Sequence, residues 1–382
     1  MKIVHFTIDE KFINGALSTF EIAFPKQNEL YVLKSKLSQN SKYINPIFIT
    51  NEILKDSKTL LKCQAIVGQA DWVIIHGMNE VWAKLILNID TSNVIYFIWG
   101  AEIYNNPYLY KKDTLGIKTK SLKKLFFKVD LRMLTKHFLN SIGYKKYLSR
   151  QNSKKLIKLA LSKVKNIGVL YDEEIQVYKE NKILLQDLNI LKFGYYPIEY
   201  FARQLKDDFP TGNNILVGNS SSYTNNHLEI FDILKGINYQ KRKVIVPLSY
   251  GDSILRNYLL NKGIEIFKSN FTPILKFLPL TDYTKLIQSC NVVIMNHYRQ
   301  QAVGNIVSSI YFGAKVFLNK ENSAYLYLKN LGCFVYDIEN DLNNQNDLIG
   351  LTMSQMRINK SLISNDINQR KLINHLNLFL TK

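Results

Sequence analysis

The chain has 382 residues, 46% of them apolar, with 23 Tyr, 20 Phe and a formal net charge of +19. That length exceeds one ordinary core and suits two or three domains, and the apolar and aromatic content argues against intrinsic disorder. The three cysteines, Cys63, Cys290 and Cys333, are scattered and form no Cys-x-x-Cys, which argues against a zinc knuckle or a disulfide framework and favours a reducing compartment.

The amino terminus, MKIVHFTIDE, carries Asp9 and no long apolar core, unlike a signal peptide. Short apolar runs then predict strands at Ile3–Ile8, Leu30–Leu33, Pro46–Thr50, Trp72–His76, Val94–Trp99, Ile167–Tyr171 and Ile190–Tyr195. The second half repeats the style at Ile215–Gly218, Lys243–Pro247, Asn291–Met295, Lys315–Leu318 and Phe334–Ile338. Helical spacing falls between them, as at Asn226–Leu234, Ser253–Leu260 and Thr281–Ser289, the last with Thr281 and Asp282 as capping residues. Strands alternating with helices of this length predict an α/β protein with a parallel sheet in each half. The Pro, Gly and Asn of 207–214 read as the linker. The expected domains are 1–206, 213–350 and a helical segment 351–382 returning to the first. No run reaches the roughly 18 apolar residues of a spanning helix, so a soluble or surface-bound protein is expected.

The charge is concentrated. Residues 111–165 hold 17 Lys and Arg against two acids, Asp113 and Asp130. Within this region Leu122, Leu125, Phe126, Val129 and Met133 share a helical face, interleaved with Lys120, Lys123, Lys124, Lys128 and Arg132. Residues 154–165 continue the pattern with Leu156, Ile157, Leu159, Leu161 and Val164. A basic amphipathic helix suits an anionic bilayer; the plainer alternative is an apolar face packed on its own domain with solvated lysines. Charge alone would also admit a nucleic-acid-binding protein. The lysines alternate with an apolar face rather than aromatic stacking platforms, which disfavours it.

Two such domains suit a dehydrogenase, a periplasmic-type binding protein or a GT-B glycosyltransferase. No GxGxxG follows any predicted strand, which lowers the first. The amino terminus and the basic segment lower the second.

Four stretches carry a resemblance: FIWGAEIY (Phe97–Tyr104), ILVGNSSSYTNNH (Ile215–His227), KVIVPLSYG (Lys243–Gly251) and RQQAVGN followed by GAKVFLNKEN (Arg299–Asn322). With His76-Gly77, they resemble the family that transfers 4-acetamido-4,6-dideoxygalactose (Fuc4NAc) from a TDP donor to a lipid-linked saccharide. This is the lipid II N-acetylfucosaminyltransferase family of enterobacterial common antigen synthesis, glycosyltransferase family 56. The resemblance implies a GT-B fold of two Rossmann-like domains, a TDP-sugar donor, a polyprenyl-diphosphate-linked acceptor and no bound metal or other cofactor. It also implies a cytoplasmic protein, peripheral on the inner face of the plasma membrane, that binds no nucleic acid. Close alternatives are a GT-B transferase using a UDP- or GDP-sugar on another acceptor, and a nucleotide-sugar epimerase of similar fold.

The donor candidates lie in the second half. Gly218, Asn219, Ser220 and Asn225 frame a strand-to-helix turn whose donors suit phosphate oxygens. Gly304 and Asn305 open a helix toward the diphosphate, while Arg299 and Gln301 precede it. An arginine at a leaving diphosphate stabilises growing charge without magnesium. Glu321 suits the ribose, Asn322 a helix cap or the donor, and Tyr250 the base or plain packing. Inverting transfer needs a general base from the first half, with Glu102, Asp9 and His76 as candidates. Glu102 occupies a position where the family more often shows aspartate. The acidic run Asp337–Asp341 imitates a metal cluster but lies beyond the GT-B-like elements and reads as an acidic turn.

Overall fold

The computed structural model describes residues 1–10, 13–33, 46–49, 57–135, 142–183, 187–203, 209–239 and 241–381, and their side chains apart from those of 57, 128–135 and 142–150. In chain order the elements are β1 (Ile3–Ile8), α1 (Ile13–Ala23), β2 (Asn28–Leu33), β3 (Pro46–Ile49), α2 (Ser57–Gly68), β4 (Trp72–His76), α3 (Glu80–Leu87), β5 (Val94–Phe97) and α4 (Ala101–Tyr104). There follow α5 (Ile117–Thr135), α6 (Ile142–Leu161), β6 (Asn166–Val169), α7 (Asp172–Glu180), β7 (Asn189–Lys192), α8 (Glu199–Ala202), β8 (Asn214–Val217), α9 (His227–Lys235), β9 (Val244–Pro247) and α10 (Ser253–Phe267). The remainder is β10 (Phe271–Ile274), α11 (Leu280–Gln288), β11 (Cys290–Met295), α12 (Val303–Tyr311), β12 (Lys315–Leu318), α13 (Ser323–Asn330), β13 (Val335–Asp337), α14 (Ile338–Asp341), α15 (Met353–Asp366) and α16 (Gln369–Leu380).

The chain divides into two compact units. The first holds Met1–Lys111, Asn140–Pro197 and Gln369–Lys382; the second holds Lys112–Leu139 and Ile198–Asn368. This differs from the contiguous domains expected from the sequence. Residues 112–139 join the second unit, and of the expected terminal segment only α16 joins the first, while α15 stays with the second. The linker at 207–214 falls partly outside the described residues.

The first unit is a seven-stranded parallel sheet in the order β3-β2-β1-β4-β5-β6-β7. Both faces of its central strands are covered, so β1, β4 and β5 are largely apolar, while the edge strands β3 and β7 are partly exposed. Val4, Phe6, Val73, Ile75, Val94 and Tyr96 pack with α2, α3, α6 and α7 on one face. The alternate residues Ile3, Ile74, Ile95 and Phe97 pack with Ala16 and Phe20 of α1 and Leu376 and Leu380 of α16 on the other. The indole of Trp72 donates to the Leu380 carbonyl at 3.0 Å, fixing the end of the chain on this sheet.

The second unit is a six-stranded parallel sheet in the order β10-β9-β8-β11-β12-β13. The strand direction of travel reverses between β8 and β11, the switch point at which doubly wound sheets bind ligands. Ile215, Val217, Val244, Val246, Val292 and Ile294 build its core with Ile230, Phe231 and Leu234 of α9 and Leu255 and Leu259 of α10.

The basic segment is divided. Leu122 and Phe126 of α5 pack into the second unit's core, with Phe126 edge-on to Tyr258 at 5.8 Å. The first turn of α5 is held by Glu229, whose carboxylate accepts from the Thr119 amide at 2.9 Å and its hydroxyl at 2.6 Å. The Asn226 Oδ1 accepts from Gly116 N at 2.9 Å. Ile157, Leu161 and Val164 are buried in the first unit's core. The apolar face expected to meet a bilayer is thus corrected at these positions, which are satisfied within the protein. Ile117 (85% exposed), Leu125, Phe127 and Leu159 remain open, and the side chains of Val129, Met133, Lys128 and Arg132 lie outside those described.

Candidate active site

The switch point of the second unit collects most of the donor candidates. Gly218 ends β8 at φ +67°, and a Cβ there would lie 2.6 Å from His227 Nε2 and 2.7 Å from Asn225 Oδ1, so only glycine fits the turn. The Asn219 amide donates to Asn225 Oδ1 at 2.8 Å, and Asn225 Nδ2 donates to Ser220 Oγ at 3.1 Å. Asn219 Nδ2 donates to the Tyr250 hydroxyl at 3.0 Å; the Tyr250 ring is 44% exposed. His297, just past β11, meets Asn225 Oδ1 at 3.0 Å and Asn219 Oδ1 at 3.2 Å through Nε2. Asn219, Ser220, Asn225, Tyr250 and His297 therefore form one hydrogen-bonded cluster. His297 is named in the sequence only as part of a polar run after a strand. Its strand-end position beside Arg299 is the signal that marks it.

Burial holds His297 neutral, its pKa pushed well below 6.5 by desolvation and then by the nearby Arg299 and His227. His227 is pushed down to about 3 by burial. Asn226, the residue before α9, does not cap that helix with its side chain, contrary to the ordinary reading of Asn before a helix. Its Nδ2 donates to the Asn296 carbonyl at 2.9 Å, and Asn296 Oδ1 accepts from Asn319 Nδ2 at 3.1 Å. This asparagine ladder ties the ends of β11 and β12 to the start of α9.

Beyond β11 the chain turns through Ala302 in the left-handed region (φ +57°) into α12. Ala302 has no side chain able to cap, so the first-turn amides, including those of Gly304 and Asn305, have no side-chain acceptor there. Such a terminus attracts anions. Arg299 is buried, with Nη1 donating to the Gln300 carbonyl at 2.8 Å. Gln301 Oε1 accepts from Thr224 Oγ1 at 2.7 Å, joining this loop to the turn after β8. Asn305 Nδ2 donates to the Tyr283 hydroxyl at 3.1 Å, which commits that side chain to α11.

At β12 the arrangement splits. Asn322 caps α13, its Oδ1 accepting from Ala324 N at 3.0 Å, and its buried Nδ2 has no partner among the described residues. Glu321 is exposed, its amide held by Asn319 Oδ1 at 3.0 Å. In the acidic turn, Asp341 accepts from the Asp337 amide at 2.7 Å and Glu339 pairs with Lys320 at 2.7 Å. Among the described residues, no three His, Cys, Asp or Glu are grouped to hold a metal ion.

The first unit has its own switch point, between β1 and β4. Here His76 is fully buried with both ring nitrogens engaged: Nε2 meets His5 Nδ1 at 3.0 Å, and Nδ1 meets the Tyr195 hydroxyl at 2.8 Å. Trp99 Nε1 donates to the same hydroxyl at 2.6 Å, and His5 Nε2 meets Asn28 Oδ1 at 3.1 Å. Asn28 Nδ2 donates to Glu21 and the Phe24 carbonyl, which fixes its amide. Indole is donor-only and Asn28 Oδ1 acceptor-only, so every bond runs one way, from Trp99 through Tyr195, His76 and His5 to Asn28. Both histidines carry their proton on Nε2. Burial depresses both, His5 to about 4. This chain leaves His76 no lone pair for an incoming hydroxyl.

Glu102 lies in the first turn of α4, where its Oε1 accepts from the Trp99 amide at 2.9 Å and from the Tyr96 hydroxyl. Burial raises its pKa above the usual carboxylate value, with these hydrogen bonds opposing. Gly77, at φ +70°, lets the Trp99 indole lie against the backbone, for a Cβ would fall 2.5 Å from that ring. Asp9 follows β1 at the same carboxyl edge of the sheet, partly buried.

Comparison with known proteins extends this geometry. Solved structures similar over the whole chain include HepE from Anabaena in complex with UDP and glucose (10% identity, TM-score 0.63, 100% of each chain covered). The trehalose-6-phosphate synthase OtsA is similar at 10% identity and TM-score 0.63, covering 100% of this chain and 99% of that one. The amino-terminal domain of a Candida albicans trehalose-6-phosphate phosphatase matches at 9% identity and TM-score 0.62, covering 100% and 97%. At such identities they establish the fold, which is GT-B. The family model described as 4-alpha-L-fucosyltransferase, glycosyl transferase group 56, matches residues 189–365 and so spans the whole asparagine-rich switch point and α12. Residues 189–365, a little under half of the chain, are thus similar to glycosyl transferase group 56, and the protein is a glycosyltransferase of the GT-B fold.

Proposed function

We propose that the protein transfers a 4-acetamido-4,6-dideoxyhexose from a TDP-sugar to a polyprenyl-diphosphate-linked saccharide during surface polysaccharide synthesis. The observation that carries this reading is the uncapped start of α12 beside buried Arg299, at the switch point inside the matched segment. The diphosphate lies on the amides of α12, and the Arg299 guanidinium neutralises the charge that grows as the glycosidic bond breaks, so that a metal is dispensable. Asn322 Nδ2, a buried donor without a partner among the described residues, offers the ligand a further hydrogen bond. Tyr250, exposed and anchored by Asn219, is the stacking surface for the base.

For the base that takes the acceptor's proton, the first unit favours Glu102. Its pKa is raised, which suits proton abstraction near neutral pH. Asp9 at the neighbouring strand end is the runner-up, and His76 instead supports Tyr195. The acceptor's lipid requires a membrane surface. No helix among the described residues is long and apolar enough to cross one. We assign the contact to the outward side of α5, where exposed Ile117 and Phe127 flank lysines.

The test is thermal-shift binding of TDP, UDP, GDP and CDP, each with and without EDTA. A rise with TDP alone, unchanged by EDTA, supports the donor and the metal independence. A preference for UDP or GDP retains the transferase and discards the TDP donor. Sedimentation with phosphatidylglycerol vesicles tests the membrane contact, which fails if Ile117→Asp with Phe127→Asp binds as the native chain does.

A further inference from the structure

His297 is completely buried, yet one of its ring nitrogens has no partner among the described residues. Nε2 faces two amide oxygens, Asn225 Oδ1 at 3.0 Å and Asn219 Oδ1 at 3.2 Å. The orientation of Asn225 is not arbitrary, because its Oδ1 already accepts the Asn219 backbone N–H at 2.8 Å and its Nδ2 donates to Ser220 Oγ. Nε2 must therefore carry a hydrogen. In a neutral imidazole the other nitrogen, Nδ1, is then a bare lone pair. It is buried, and no donor reaches it among the described residues. Buried polar atoms of native proteins are rarely left this way without a ligand or water to meet them.

The character of that lone pair limits what it binds. A phosphate oxygen or a carboxylate offers no hydrogen, and would require a protonated imidazole. Burial, together with the positive charge of Arg299, opposes that proton. An O–H or N–H group meets the requirement. His297 lies between the end of β11 and Ala302, which leads into α12, so it adjoins the proposed diphosphate site along the chain.

We propose that His297 Nδ1 accepts a hydrogen bond from a hydroxyl or amide N–H of the sugar nucleotide. The inference rests on the nucleotide-sugar reading above and adds to it a residue that senses an uncharged donor group rather than the diphosphate. His297 thereby discriminates among ligands sharing one diphosphate: those with a donor group at this position bind, and those carrying only an acceptor or methyl group there leave the lone pair unmet.

The chain has six histidines, so long-range proton–nitrogen NMR of protein with 15N-labelled imidazoles reads each ring nitrogen, and His297→Asn assigns the signal. The probes are TDP and TDP-glucose, with binding monitored in parallel by calorimetry. Without ligand, His297 is expected as the Nε2–H tautomer. A move of Nδ1 toward a hydrogen-bonded acceptor with TDP-glucose alone places the donor group on the hexose; a move with both probes places it on the nucleoside. Binding of both with Nδ1 unmoved, or with Nδ1 protonated, overturns the proposal while leaving the nucleotide site standing. Absence of binding by either defeats the TDP-donor reading and this inference together. In the hexose case, His297→Asn is expected to weaken TDP-glucose by about tenfold and TDP by less than twofold. Equal loss for both refutes the hexose contact. Should that variant not fold, single His→Asn variants of the other five, His5, His76, His137, His227 and His375, provide the assignment by elimination, and the native protein's spectra still decide.

Discussion

Replacing Tyr195 by Phe removes a single oxygen from the middle of the hydrogen-bonded chain in the first unit. That oxygen accepts from Trp99 Nε1 at 2.6 Å and donates to His76 Nδ1 at 2.8 Å. Both groups lose their partner, and neither is replaced by the shape-preserving substitution. Leaving one buried polar group unsatisfied costs about 1–3 kcal/mol. Trp99 is partly exposed and falls at the low end, whereas His76 is fully buried. The sum is about 2–4 kcal/mol. Urea unfolding followed by tryptophan fluorescence is the assay, because Trp72, Trp82 and Trp99 all belong to the first unit and report it alone. A loss under about 0.5 kcal/mol refutes the reasoning, since that is the scale of an ordinary surface substitution. A double-mutant cycle with Asn28→Ala sharpens the test. Two histidines separate Asn28 from Tyr195, so a coupling above about 0.5 kcal/mol arises only if the chain acts as one network.

Glu102→Gln should abolish turnover while nucleotide affinity stays within twofold, read by single-turnover kinetics and calorimetry; an active variant removes Glu102 as base. Because a base must be ionised and burial raises this carboxyl, kcat/KM should climb with pH along a limb lying above the ordinary glutamate range. Gly218→Ala forces a side chain into a positive-φ turn and against His227, which should destabilise the second unit by about 2 kcal/mol and remove nucleotide binding. Its melting temperature and a nucleotide titration check both. His227 titrates near 3 when folded and near 6.5 when unfolded, so the unfolded chain binds the extra proton. The stability it supplies is complete above pH 6.5 and is lost as pH falls, by about 2 kcal/mol at pH 5. Hydrogen exchange of β8 and β11 amides at pH 7.5 and 5 reads this in the second unit. In the first unit His5 acts in the same sense, while Glu102 returns stability as pH falls through its raised pKa.

The strands were the most legible part of the chain. Runs such as Trp72–His76 and Lys315–Leu318 match their strands residue for residue, because a sheet covered on both faces requires continuous apolar sequence. β10 escaped the same reasoning. Pro273 sits inside it and its residues are only partly buried, as an edge strand tolerates. α10 runs on to Phe267 rather than stopping near Leu260, because Gly263 is spent on close approach to the Phe271 ring rather than on ending the helix. α11 begins at Leu280 after Pro279, without a cap from Thr281 or Asp282. In the site, the family-like motifs and strand-end positions singled out Gly218, Asn219, Asn225 and Arg299 as candidates. The roles of His5, Tyr195 and Asn226 were hidden, since each depends on partners 70 to 119 residues away. Periodicity registers a helix face but not what covers it, so the burial of Leu122 against α9 and α10 had no signature in the sequence.

The interleaving of the two units along the chain has a consequence for how the protein is made. Neither unit is one continuous stretch. The first is completed only by α16, whose Leu376 and Leu380 fill its core, and the second begins with α5, translated long before β8. On a ribosome, α5 emerges with its apolar face bare and must wait for some 90 residues of later chain to supply α9. The first sheet likewise keeps an unfinished face until α16 has been made. Domains usually fold as they emerge; here both mature late and nearly together. A nascent chain arrested before His227 should therefore engage chaperones through two separate apolar surfaces.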